Sequence, residues 1–338
     1  MLPPLLFPLP LARGPAAVFP RPARAAGRLR LRLFGIDAAE ATFARRGFAS
    51  GCPATRRRLE GIGFAFLGGY HAALEEDDAV ELGERLEGTE PVLRGFAFEG
   101  AAMGLALLDG LTPWRRGRLR TFLRGPGAPH VYMVHVGAGW ALARLRRMFG
   151  EPPRDMDPLL GWLAADGYGF HEGYFHPGRY AEGGAAPGRV SGYARRVFDQ
   201  GLGRSLWFVH GADPGRIAAA VAGFAPGRRG DLWSGAGLAC AYAGAAGVGA
   251  AAALADAAGA HRPAAAQGAA FAARARQRAG NPAEHTERAC RVLCGASADA
   301  AAAVTEAALA GLAPGAGLPA YEVWRMRIRE SFAREGTP

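Results

Sequence analysis

The chain has 338 residues, half of them hydrophobic, with 40 basic against 30 acidic side chains. Every basic residue is arginine, so there can be no lysine Schiff base, no phosphate-loop or kinase lysine and no Ser-Lys dyad. Eight of the ten net positive charges fall in residues 1–60, where 11 Arg face Asp37, Glu40 and Glu60; the remainder is near neutral and no nucleic-acid face is expected.

Residues 1–30 read as a disordered leader or the product of an upstream start site. They are apolar but broken by proline and lack the basic start of a secretory signal, so a cytoplasmic location is expected. Residues 31–166 read as a first helical half. IGFAFLGGYHAALE places large apolar groups at spacings of three and four. DDAVELGERLEG has a capping aspartate and a terminal Gly88, and EPVLRGFAFEGAAMGLALLD has Pro91 near its start. TPWRRGRLRTFLRG, 112–125, is basic and amphipathic. It reads as a solvated helix face, with contact to a membrane or an acidic carrier as the alternative. PHVYMVHV reads as helix.

Residues 167–192, rich in Gly, Pro and Tyr, are expected to be a connection between halves. Residues 193–312 then repeat the helical plan, and 313–338 form a C-terminal helix and tail. The repeat shows at an offset of 135: Gly100 falls on Gly235, Pro91 on Pro226, Arg94 on Arg229 and Phe98 on Trp233. Small residues line both copies, so close helix packing is expected and the uncharged run 233–255 is a core helix with its connector rather than a membrane span. The fold class is therefore all-α, two pseudo-symmetric halves from an internal duplication, with a solenoid of helical hairpins as the competing description.

Cys290 and Cys294 sit one helical turn apart, but position 297 is Ser, so no cluster motif is completed. GVGAAA at 247–252 follows no strand and carries no nucleotide signal. No flavin, nicotinamide, phosphate or iron–sulfur signature is found, and no cofactor is expected.

The unusual stretch is GYGFHEGYFHP, 167–177. Its HExxxH spacing is one residue too long for the helical metalloprotease motif, and Gly173 and Pro177 argue for a loop. As a loop it could gather His171, Glu172 and His176 around a substrate for proton transfer or, as the lesser alternative, around a metal, or be an aromatic-anchored connection with surface histidines. Glu99 lies in an apolar helix face and needs a distant partner if buried; His135 and His71 are the candidates. Expected catalytic residues are thus His171, Glu172, His176, Glu99 and His135. Expected to line a substrate cleft are His71, Phe96, Phe98, Met103, Trp140, Tyr168, Phe170 and Trp207.

Six blocks carry a resemblance: RLFGIDAAEATFARRGF, GYHAALE, LRGFAFEGAAMGLALLD, PHVYMVHVGAGWALARL, DGYGFHEGYF and FDQGLGRSLWF. Together, over about Arg30 to Leu309, the chain resembles an actinobacterial family of unknown function encoded beside enediyne polyketide synthases. The resemblance implies a role in forming or tailoring an enediyne core, with a hydrophobic polyene-like small molecule as ligand and other enediyne biosynthetic proteins as further partners. It brings no catalytic residues. A non-catalytic sequestering or scaffold protein, or an unrelated helical interaction module, are the alternatives.

Overall fold

A computed structural model describes residues 25–335 apart from Pro113, Arg115, Arg116, Asp155, Val248 and Ala316. Among these residues there is no β-strand, and the chain is all-α as expected. Residues 1–24 of the expected leader lie outside the described residues; residues 25–30 are not leader but part of a helix, Ala25–Phe34, whose Arg30 binds Asp77 at 2.8 Å.

Seven long helices carry the core. They are α1 (Pro53–Glu75), α2 (Pro91–Leu111), α3 (Val131–Arg144), α4 (Leu163–Phe175), α5 (Ala194–Val209), α6 (Pro226–Ala243) and α7 (Arg262–Arg278). Each packs on the one before it, forming a row joined by loops and short helices. An eighth, α8 (Ala320–Glu335), covers α7 as the expected C-terminal helix. α2 is long and apolar enough to cross a membrane, but 72% of its apolar window is buried in protein, as in a core helix.

One short motif builds the row. Gly137-x-Gly139, Gly167-x-Gly169, Gly201-x-Gly203 and Gly235-x-Gly237 sit at the middles of α3 to α6. The first glycine of each pair lies on the preceding helix and the second on the following one. A Cβ on Gly167 would stand 1.8 Å from the Val136 carbonyl oxygen, and one on Gly169 1.9 Å from that of Phe198. Gly201 and Gly203 repeat this at 1.7 Å from Asp166 and 2.0 Å from Leu232. In the end helices, Gly100-x-Ala102 of α2 and Gly268-x-Ala270 of α7 keep the first glycine, and Gly69 of α1 keeps the second. No residue with a side chain fits at such crossings, where the helix backbones touch through Cα–H to carbonyl contacts.

The first glycines, Gly100, Gly137, Gly167, Gly201, Gly235 and Gly268, recur every 30 to 37 residues. The offset of 135 spans four of these steps. The expected connection at 167–192 is corrected in its first part: Gly167 to Phe175 belong to α4, and Gly167 and Gly169 are its crossing points. Gly173 is also accommodated within α4, against Ser205 and Leu202 of α5. Pro177 does not break α4, because it opens a new short helix, Pro177–Tyr180.

Candidate functional site

The residue just before each first glycine faces the crossing, and in five of the helices it is polar: Glu99, Asp166, Gln200, Ser234 and Gln267. Regular spacing therefore stacks polar side chains along the middle of the row, all of them buried. Gln200 Nε2 donates to Asp166 Oδ2 at 2.8 Å. Ser234 Oγ lies 3.3 and 2.9 Å from the amide oxygens of Gln200 and Gln267. Arg325 of α8 donates to Gln267 at 3.3 Å, to Asp231 at 2.8 Å and to Glu322 at 3.1 Å. Tyr193 donates to Glu322 at 2.5 Å. Buried polar groups of this kind persist because most of their atoms find partners; Gln267 Nε2 does not.

At the other end of this line sits Glu99. Arg204 of α5 donates to Asp166 in a short hydrogen bond, and its other nitrogen stands 3.9 Å from Glu99 Oε1. Trp140 Nε1 donates to the same Oε1 at 3.1 Å. Oε2 is buried and has no hydrogen-bond partner. One cation thus serves two buried carboxylates, and Asp166 holds it more closely. Burial pushes the Glu99 carboxyl up, Arg204 pulls it back, Asp166 adds to the rise, and the result is about 7. The expected partners His135 and His71 are corrected to Trp140 and Arg204.

Glu99 lines a narrow apolar slot, with a cavity volume of about 40 Å³, that crosses the first five row helices. α1 contributes Ile62, Gly63, Phe66 and Leu67; α2 contributes Phe96 and Glu99; α3 contributes Trp140. α4 adds Phe170, Tyr174 and Phe175, and α5 adds Phe208. Phe66, Trp140, Phe170 and Phe208 touch in sequence, with ring centroids 4.6, 5.0 and 5.3 Å apart. The outer side is closed by a strap, residues 35–48, through Ile36, Glu40 and Ala41. Arg46 fastens it: one nitrogen binds Glu40 at 2.6 Å, another donates to the Phe175 and Tyr174 carbonyls at the end of α4, and the guanidinium lies 4.9 Å from the Phe175 ring centre. Tyr174 donates to the Glu40 carbonyl at 3.3 Å.

Of the sequence-predicted residues, Glu99, Phe96, Trp140 and Phe170 line this slot. His171, Glu172 and His176 do not form the expected loop. His171 is buried on α4 behind the slot wall, its ring 5.6 Å from Trp140 and 4.8 Å from Phe175, and its Nδ1 is 3.2 Å from Glu172 Oε1. Burial pushes the His171 imidazole below its ordinary value, against the pull of Glu172. Burial raises the Glu172 carboxyl, but the hydrogen bond and charge of His171, with smaller contributions from Tyr180 and His176, together leave the group below the usual range. His176 is exposed at the end of α4. Among the described residues no three His, Cys, Asp or Glu side chains gather as a metal ligand set.

The other expected residues lie elsewhere. His135 is buried, its Nδ1 2.8 Å from the Val131 carbonyl and its Nε2 accepting from the Asp157 backbone. His71 accepts from the Ile36 backbone at 3.1 Å, which positions the start of the strap. Phe98 stacks between Phe122 and His130 in a second core cluster. Met103 is fully buried, Trp207 donates to the Gly244 carbonyl at 2.8 Å, and Tyr168 packs toward Phe198. Sequence reasoning missed Arg204, Asp166, Phe66, Tyr174, Phe175 and Phe208. For Asp166 the signal was present: DGYG repeats the EGA pattern around Glu99.

A family model described as "Protein of unknown function (DUF1702)" matches residues 25–332. No curated protein and no solved structure matches the chain.

Proposed function

The chain belongs to this DUF1702 family, and we propose that it binds a slender unsaturated apolar small molecule in the aromatic slot, as an accessory protein of enediyne antibiotic biosynthesis. The observation that carries the binding reading is the slot itself: an apolar passage walled by touching aromatic rings, with a single buried carboxyl whose Oε2 has no partner. Flat rings packed at tilted and edge-to-face angles favour a thin conjugated chain over a bulky ligand. An apolar, aromatic lining with few polar groups suits a slender small molecule that those groups orient. The pathway assignment is supported by the sequence blocks noted above, five of which supply slot residues: RLFGIDAAEATFARRGF, LRGFAFEGAAMGLALLD, PHVYMVHVGAGWALARL, DGYGFHEGYF and FDQGLGRSLWF.

A second reading adds proton transfer to binding. Of the groups expected to move protons, only Glu99 lines the slot, and a carboxyl held near neutrality can take and return a proton. His171 stands one ring further back, behind Trp140 and Phe175.

The test is deletion of the gene from its host and complementation with wild type or with Ala41→Phe, which fills the slot from the strap. Loss of enediyne product on deletion, restored by wild type and not by a folded, expressed Ala41→Phe protein, is the expected result. Unchanged product on deletion would remove the pathway assignment. Full restoration by Ala41→Phe would remove the slot from the function.

A further inference from the structure

Resting on the slot reading above, we infer that the ligand carries a carbonyl group and that Glu99 holds that oxygen as a hydrogen-bond donor. Trp140 Nε1 donates to Oε1 at 3.1 Å, and Arg204 approaches the same oxygen at 3.9 Å. Both groups can only donate. The proton of a neutral Glu99 therefore does not sit on Oε1. It sits on Oε2, which has no partner and belongs to a carboxyl on the wall of the slot.

Neutrality follows from the charge count. The groups facing Glu99 are Arg204 from α5, Asp166 from α4 and Tyr242 from α6. Across the slot, Glu40 is paired with Arg45 and Arg46 of the strap, and His171 lies behind Trp140. Arg204 is committed to Asp166. A second negative charge at Glu99 would be buried without a cation of its own. The raised proton affinity of the carboxyl agrees with this.

The donor then selects the ligand. A carbonyl oxygen accepts from Oε2–H and brings no donor of its own. An alcohol in the same place would also accept, but its hydroxyl proton would face aromatic rings. Glu40 is taken by its arginines, and the Tyr174 hydroxyl donates to the Glu40 carbonyl. An unpaired buried donor costs about 1–3 kcal/mol. An alkene chain leaves Oε2–H itself unpaired. The class that gives Oε2–H an acceptor without adding an unpaired donor is a conjugated aldehyde, ketone or acyl group at the end of an apolar chain.

The full-length protein can be titrated with three probes of equal length: deca-2,4,6,8-tetraene, the corresponding tetraenol and the corresponding tetraenal. With no lysine in the chain, a spectral change of the aldehyde cannot come from a lysine imine. At pH 5.5 the tetraenal is expected to bind at least tenfold tighter than the tetraene or the tetraenol, with its absorption maximum moved to the red. Both effects should fade by pH 8.5, as Glu99 ionises. Glu99→Gln, whose amide can donate from the same place, should keep the preference at both pH values. Glu99→Leu should bind the tetraene and lose the preference. If the tetraene binds and the tetraenal gains nothing, or if Glu99→Leu keeps the preference, the carbonyl inference is overturned and the slot reading stands. If no probe binds, the slot reading falls and the inference falls with it.

Discussion

Replacing Glu99 with Gln should stabilise the protein at alkaline pH and do little at acid pH. Glu99 is held near 7 in the fold, against 4.5 for an ordinary glutamate. Each tenfold gain in proton affinity corresponds to about 1.4 kcal/mol, so ionising this buried carboxyl costs roughly 3 kcal/mol of stability. The folded protein binds the Glu99 proton more tightly than the unfolded chain does. This contribution is therefore full below about pH 4.5, declines as pH rises, and is gone above about pH 7. Glutamine keeps the shape, accepts from Trp140 with its oxygen and never ionises. Urea unfolding of both proteins at pH 4.5, 6 and 8 gives the difference in stability directly, and other titrating groups, such as the buried histidines, cancel between the two. The difference should grow by roughly 3 kcal/mol in favour of Glu99→Gln from pH 4.5 to pH 8. A difference that stays flat over that range would refute the argument that Arg204 is committed to Asp166 and leaves Glu99 uncompensated.

The glycine crossings and the buried ionic group at α8 give two further expectations. Gly167→Ala and Gly235→Ala would put a Cβ 1.8 and 1.9 Å from a backbone oxygen of the neighbouring helix. Each should cost at least ~3 kcal/mol, because backbone on both sides must move. Gly61→Ala, on α1 with nothing within 4 Å of the added carbon, should instead gain up to ~1 kcal/mol; chemical denaturation of the three variants checks both signs. Arg325→Met removes the α8 donor to Asp231, Glu322 and Gln267 and should cost about 3 kcal/mol, since the two buried carboxylates then keep Arg196 and Arg329 as cations, with the Tyr193 hydroxyl on Glu322, and lose their fully buried cation. A thermal melt of that variant unchanged from wild type would show that the polar line does not fasten α8 to the row.

The all-α class was legible because apolar spacing and caps repeat along the chain, and because β-branched residues are scarce. The small residues of α2 and α6 correctly signalled close packing. The shorter repeat was equally visible: EGAA, VGAG, DGYG, QGLG, SGAG and QGAA stand at the middles of α2 to α7. It is hidden at an offset of 135, because that interval spans four steps and aligns only every fourth helix. The GYGFHEGYF stretch was read as loop because glycine is poor in isolated helices. Here Gly167, Gly169 and Gly173 each meet a neighbouring helix, and tertiary packing overrides propensity. Of the site, Glu99, Phe96, Trp140 and Phe170 were legible as polar or aromatic exceptions on small-residue helices. Phe66, Tyr174, Phe175 and Phe208 were not, because only the tertiary packing brings α1, α4 and α5 onto one slot. Arg204 was hidden by abundance, one of 40 arginines in a chain without lysine.

The most direct measurement is a crystal structure of the full-length protein with deca-2,4,6,8-tetraenal bound. The account predicts one extended ligand in the slot between Phe66, Trp140, Phe170 and Phe208, under Ala41 of the strap, with its oxygen at hydrogen-bond distance from Glu99 Oε2. A ligand bound elsewhere on the protein, with the slot unchanged, would contradict it.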